Sequence, residues 1–417
     1  MWRRRIFIWF RLALVITIYV TFVAPEWPAF EEEQFQLNKL VGLREFDFLL
    51  WEADALTVKG VGQLGAGDDY LDEEVRKQTV LTYLEFVGNV RQLRAEINAI
   101  YANPDVENPD VASATLQEEL ATSRLEMERL QPLAEGIIQQ QVADILADEG
   151  ISIVGKVWPP VQMHMTPLPL VLIVSPRERI ERIYGIPLVH GLTTPEQEAL
   201  ETAVFTELDR SALVVPIGGL GMFPAMIVET GNINALADVV AHEWTHHWLT
   251  FYPLGIRYGA SPALRTMNET VASIVGQEVG ARVVARFYPE FVPAPPESST
   301  ADSTAPEAEA LFDFRAEMAE TRIRVDELLA AGEVKAAEAY MEERRQFFVS
   351  HGFPIRKLNQ AYFAFYGAYA EAPGATGADP VGPAVVALRA QSSSLVDFMR
   401  TVGRITSFEE LEEVVAR

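Results

Sequence analysis

The sequence predicts an α+β fold that is mostly helical, with one small mixed sheet packed on a pair of helices and helical regions on either side of that unit. Three observations carry this prediction. Long stretches before residue 150 and after residue 306 repeat apolar residues at helical spacing and hold few glycines or prolines. Between them the pattern shifts to short β-branched runs bounded by Gly, Pro and Ser. Of the 417 residues, 49% are hydrophobic, which is enough for a large core and excludes a long disordered chain.

The chain opens with Arg3, Arg4 and Arg5, and then runs apolar from Ile6 to Ala24 apart from Arg11. That is roughly nineteen residues, close to the roughly 20 needed to cross hydrocarbon. Residues 1–25 therefore read as a transmembrane anchor. The leading arginines favour a cytoplasmic N-terminus, so everything after Pro25 falls outside the cytoplasm, on a single-pass protein of the cell membrane. A cleaved signal peptide is the competing reading, but Thr21-Phe22-Val23-Ala24-Pro25 offers no small-x-small site.

Residues 26–150 form a helical N-terminal region. Val75, Val80, Leu84, Val87, Val90, Leu93, Ile97 and Ile100 share one helical stripe, and Leu120 to Ile145 carries a second. Asn103 to Asp110, with two prolines, is the turn between them. Strands are expected at Ile151–Val157, Leu168–Val174, Ser211–Val215 and Ala225–Val228. A helix capped by Asn232 or Asn234 then runs to about Phe251, where Tyr252-Pro253-Leu254-Gly255 stops it. Ser261-Pro262 opens the next, which reaches about Phe287. Residues 293–306, rich in proline and serine, read as a linker, and 307–417 as a C-terminal helical domain that begins with a charged helix pair.

With 59 acidic against 34 basic side chains, the net charge of −25 opposes nucleic acid as a partner. The absence of cysteine excludes disulfide scaffolds and cysteine-ligated metal modules. Histidine is also scarce. Three of the six, His242, His246 and His247, fall within a turn and a half of one helix, as His242-Glu243-Trp244-Thr245-His246-His247. Residues four apart share a helix face, so His242 and His246 can direct their imidazoles at one ion while Glu243, about 100° round the helix, reaches a water beside it. A chance match to HExxH is on the order of one in a hundred at this histidine content. His247 points elsewhere and reads as a supporting or core residue. A tetrahedral ion needs a third protein ligand, and Glu269, in Asn268-Glu269-Thr270-Val271-Ala272 on the following helix, can supply it.

With His242-Glu243-x-x-His246 followed by Asn268-Glu269-x-x-Ala272, the chain resembles the gluzincins, the zinc metallopeptidases that include thermolysin and the zinc aminopeptidases. The resemblance implies that 151–292 is a zincin-like catalytic domain, that His242, His246 and Glu269 ligate Zn2+, and that Glu243 is the catalytic base. Thermolysin-like proteins place an aspartate four residues after the ligand glutamate to orient a histidine. This chain has Ser273 there, so that support must come from another residue.

The resulting expectation is a membrane-anchored zinc peptidase acting on peptide or protein substrates, with Glu243 taking a proton from zinc-bound water. An extended substrate could add itself along strand Ala225–Val228. Gluzincins supply an oxyanion donor from a C-terminal Tyr or His. Here Tyr366 is the first choice, with Tyr362, Tyr369 and His351 as alternatives. An aminopeptidase-type exopeptidase and a catalytically silent, zinc-stabilised scaffold are the competing functions.

Overall fold

A computed structural model of the chain describes residues 32–48, 51–52, 55, 71–102, 107–152, 155–217, 219–293, 312–367 and 380–416. The expected anchor (1–25), nearly all of the expected linker and Tyr369 lie outside the described residues. Among the described residues no helix is long and apolar enough to cross a membrane.

The fold is α+β and mostly helical. After α1 (Glu32–Val41), two long helices, α2 (Glu73–Ala102) and α3 (Pro109–Asp148), pack along each other and bury Val80, Leu84, Val87 and Val90 against Ile137, Ile138, Val142 and Ile145. Asn108 ends the turn between them, its side chain accepting a hydrogen bond from the Val111 amide at the start of α3.

The strands correct the expectation of one mixed sheet, because the described residues form two three-stranded sheets. The first has the order β1 (Met163–Thr166), β6 (Ala225–Val228), β5 (Gly219–Leu220), with β1 parallel and β5 antiparallel to β6. The second is antiparallel, with β2 (Leu170–Pro176) between β3 (Tyr184–Leu188) and β4 (Arg210–Pro216). Both of its faces are covered. Leu172, Val174, Ala212 and Val214 meet α1 and α4 (Thr194–Leu208), while Ile173, Leu213 and Val215 meet Ala361 and Phe365 of α10 (Gln360–Tyr366). Burial on both sides explains why these strands read as continuous apolar runs rather than as alternation.

Of the strand expected at Ile151–Val157, the described residues 151, 152 and 155–157 belong to no named strand, and residues 153 and 154 lie outside the described residues. Ile151 is buried in the helical core, and the first strand starts only at Met163. Helix α4 and strand β3 were not expected from the sequence, although Thr193 and Glu196 form a capping box at the start of α4.

Helix α5 (Ile233–Leu249) is capped by Asn232, and a short α6 (Pro253–Ile256) turns the chain into α7 (Pro262–Phe287), capped by Ser261 with Pro262 in its first turn. The two long helices run antiparallel as the most extensively packed pair among the described elements. Beyond them come the hairpin α8 (Phe314–Ala330) and α9 (Val334–Ser350), then α10, then α11 (Val381–Gln391), α12 (Leu395–Val402) and α13 (Phe408–Val415). One apolar core joins α2, α3, β1, β6, α5, α7 and α11–α13. Glu135 of α3 ties this layer to the first sheet by accepting a hydrogen bond from the Met165 amide at 2.7 Å.

Candidate metal centre

Helix α5 is apolar where it meets the core, through Leu236, Ala237, Val240, Ala241 and Trp244, and this fixes which face His242 and His246 present. They face α7, where Glu269 comes up from the opposite direction. His242 Nε2 and His246 Nε2 are 3.2 Å apart, and Glu269 Oε2 lies 3.6 Å from each. A tetrahedral ion with bonds of about 2.1 Å needs donors roughly 3.3 Å apart, so the triangle fits one small divalent cation. The three side chains form a group able to hold a metal.

The approach of the helices depends on two glycines one turn apart on α7. A Cβ at Gly276 would sit 2.4 Å from Asp238 Oδ1 and 2.9 Å from its carbonyl oxygen, and one at Gly280 would sit 2.7 Å from the Asp238 amide nitrogen. With hydrogen at both positions, the backbone of α5 settles into the notch and Glu269 reaches the imidazoles.

The neighbours of the ligands fix their orientation. Asn268 Oδ1 accepts from His246 Nδ1–H at 2.7 Å, which leaves Nε2 as the metal-facing lone pair. This is the support that Ser273, buried in the same wall, does not give. The Tyr258 hydroxyl donates to Glu269 Oε1 at 2.6 Å, so the other oxygen of that carboxylate is left to face the histidines. The Tyr258 ring also stands edge-on to His246. Burial disfavours ionised Glu269, but the two imidazoles outweigh it and hold the carboxyl well below its usual range. Burial likewise opposes charge on His246, and Glu269 overcomes it, raising the imidazole to about 9. Opposite charges on His246 and Glu269 favour each other in this buried group.

Glu243 is only 4% exposed, lines the cleft and accepts no hydrogen bond from a described residue. Burial, and then the Glu269 charge against the pull of the two histidines, raises its carboxyl above the ordinary value. The β5 backbone passes so close that a Cβ on Gly219 would lie 2.1 Å from Glu243 Oε1. His247 is buried, with Nε2–H donating to the Met222 carbonyl and its ring edge-on to Phe223, so it pins the loop after β5. That matches the supporting role its helix position suggested.

The triad opens into a cleft of about 1210 Å³ lined by β5, α5, α7, α8 and α10. Tyr366 lies on the α10 wall, 36% exposed and packed on Tyr362, and no hydrogen bond joins it to the metal group. His351 is elsewhere, stacked on Phe312 with Nδ1–H donating to the Phe347 carbonyl. The phenol that touches the metal group is Tyr258, which the sequence reading passed over. Its signal is weak, one of two tyrosines, with Tyr252, between helices α5 and α7. Strand β6, expected as an open edge, is interior, and β5 is the outer strand beside the cleft.

Compared with known protein families, curated proteins and solved structures, the chain matches none.

Proposed function

We propose that the protein is a zinc-dependent peptidase of the gluzincin kind, with Glu243 as general base. The observation that carries this reading is the convergence of His242, His246 and Glu269 within 4.8 Å of one another, with the unbonded Glu243 carboxylate beside them. Two imidazoles and one carboxylate as donors favour zinc among common divalent ions. When bound, such an ion supplies Lewis acidity to a carbonyl and lowers the pKa of water.

The rest of the chemistry falls to this chain. Glu243 takes the proton from the attacking water and returns it to the leaving amine, and its shielded, raised carboxyl suits both halves of that exchange. Tyr258 and Asn268 hold Glu269 and His246 in place. The outer strand β5, with Gly219 against Glu243, offers backbone groups along which an extended peptide can lie. Tyr366, which lines the same cleft, is the candidate donor to a developing oxyanion. The arginine-led apolar run at 1–25 supports attachment to the cell membrane with the cleft outside the cytoplasm.

The test joins metal analysis to digestion of a mixed peptide library with sequencing of the cut ends. The unsubstituted chain is expected to hold one zinc and to cut. Glu243→Gln should keep the zinc and lose turnover by about 10²–10⁴-fold. Internal cuts identify an endopeptidase and trimming from the amino end an aminopeptidase. A metal-loaded chain that cuts nothing would be a scaffold.

A further inference from the structure

The peptidase reading leaves the cations of the cleft without a task. In this acidic chain the guanidinium groups near the second sheet are neutralised: Arg177 pairs with Glu338, and Arg210 with Glu33. Two arginines, Arg182 in the cleft wall and Arg265 on α7, form no ion pair with a described residue. Arg182, half-buried, lines the cleft, and its side chain forms no ion pair or hydrogen bond with any described residue. Glu52 lines the same cleft and does not pair with it. Arg265 stands one turn before Glu269 on α7, its guanidinium carbon 5.7 Å from the centre of the Tyr258 ring, and its Nε is buried with no partner.

The two cations and the phenol form one cluster. Burial, and after it the like charge of Arg182, works against the charged form of Arg265. Two partly buried guanidinium groups that lack an ion-pair partner are costly in isolation and are relieved by an anion. The planar fork of arginine fits a carboxylate with two parallel hydrogen bonds.

We infer that Arg182, backed by Arg265 behind Tyr258, is a carboxylate-binding subsite, so that the cleft selects peptides carrying a carboxylate near the bond that lies over the metal group. The inference rests on the peptidase reading in taking a peptide as the ligand. The carboxylate can come from the peptide C-terminus or from an Asp or Glu side chain, and the experiment separates these sources.

The zinc-loaded Glu243→Gln chain, immobilised, is offered three pools of Nα-acetylated random hexapeptides. The first lacks Asp and Glu and ends in a free carboxylate. The second lacks them and ends in an amide, and the third is amidated but contains them. Retention about tenfold above the second pool is expected for a carboxylate-bearing pool, equivalent to about 1.4 kcal/mol. Preference for the first pool assigns the C-terminus, and preference for the third assigns a side chain. Arg182→Gln should abolish the preference and Arg182→Lys should restore part of it, with unchanged zinc content showing that both variants are folded. Equal retention of the three pools, retention of none, or a preference that survives Arg182→Gln overturns the subsite. Turnover of the same pools by the unsubstituted chain is read separately. Absence of cutting overturns the peptidase reading and leaves the binding result standing, whereas cutting without carboxylate preference overturns the subsite alone.

Discussion

Glu269 carries two jobs on one carboxylate, and the side chains around it divide them. Oε2 faces the histidines while Oε1 takes the Tyr258 hydroxyl, so removing that hydroxyl frees the carboxylate to turn. Tyr258→Phe is therefore expected to weaken zinc binding about tenfold, the low end of the range for losing a group that orients a metal ligand, as read by competition with a chelator. Gly219 acts on Glu243 instead. An alanine methyl there would collide with the end of a flexible side chain rather than with backbone, and the carboxylate would swing aside without unfolding the strand. Gly219→Ala should then keep its metal and its melting temperature and lose turnover by on the order of 10²-fold, which kinetics together with metal analysis would show. A fall in zinc content would instead place the effect on the ligands.

The helix pair is the element on which the site depends. The HExxH spacing sets two ligands on one face of α5, but the third arrives only because α7 packs antiparallel to α5 at a separation its glycines permit. At Gly280 the obstruction is backbone, the Asp238 amide nitrogen and Cα, which cannot rotate away. Gly280→Ala is thus expected to cost about 2 kcal/mol of stability by overpacking, seen as a lower melting temperature, and to lower zinc affinity because Glu269 moves with its helix. Unchanged values for both would mean that the notch does not set the helix separation.

At the scale of the whole molecule, the metal helices share one core with α2 and α3 on one side and with α11–α13 on the other. The second sheet joins the cleft through α10, held by Glu201. This buried carboxylate accepts from the Val214 amide at 2.7 Å and pairs with Arg356 and Lys357 ahead of α10. The cleft is therefore assembled from parts far apart in sequence, and an ion that binds only the assembled triad stabilises all of them together. Zinc at about 100 times its Kd should add about 2.7 kcal/mol to the folded state, visible as a higher melting temperature that a chelator reverses and that His242→Ala abolishes. No shift on adding zinc would show that the triad is not a binding site.

The sequence by itself determined the chemistry that lies within one helix: the imidazoles at i and i+4, the glutamate beside them, the Asn232 and Ser261 caps, and the two long helices of the N-terminal region. These follow from a fixed periodicity of 3.6 residues and from local hydrogen bonds to the chain's own backbone. It located Glu269 as a ligand candidate but could not bring it within reach, since that depends on helix separation. Only the tertiary structure decided that Tyr258 and Asn268 support the site, that β5 rather than β6 borders the cleft, and that the strands form two sheets. It also decided that the described residues of Ile151–Val157 do not belong to those strands. Each of these is a long-range contact set by packing, and an apolar residue such as Ile151 satisfies a helical core as well as it would a sheet.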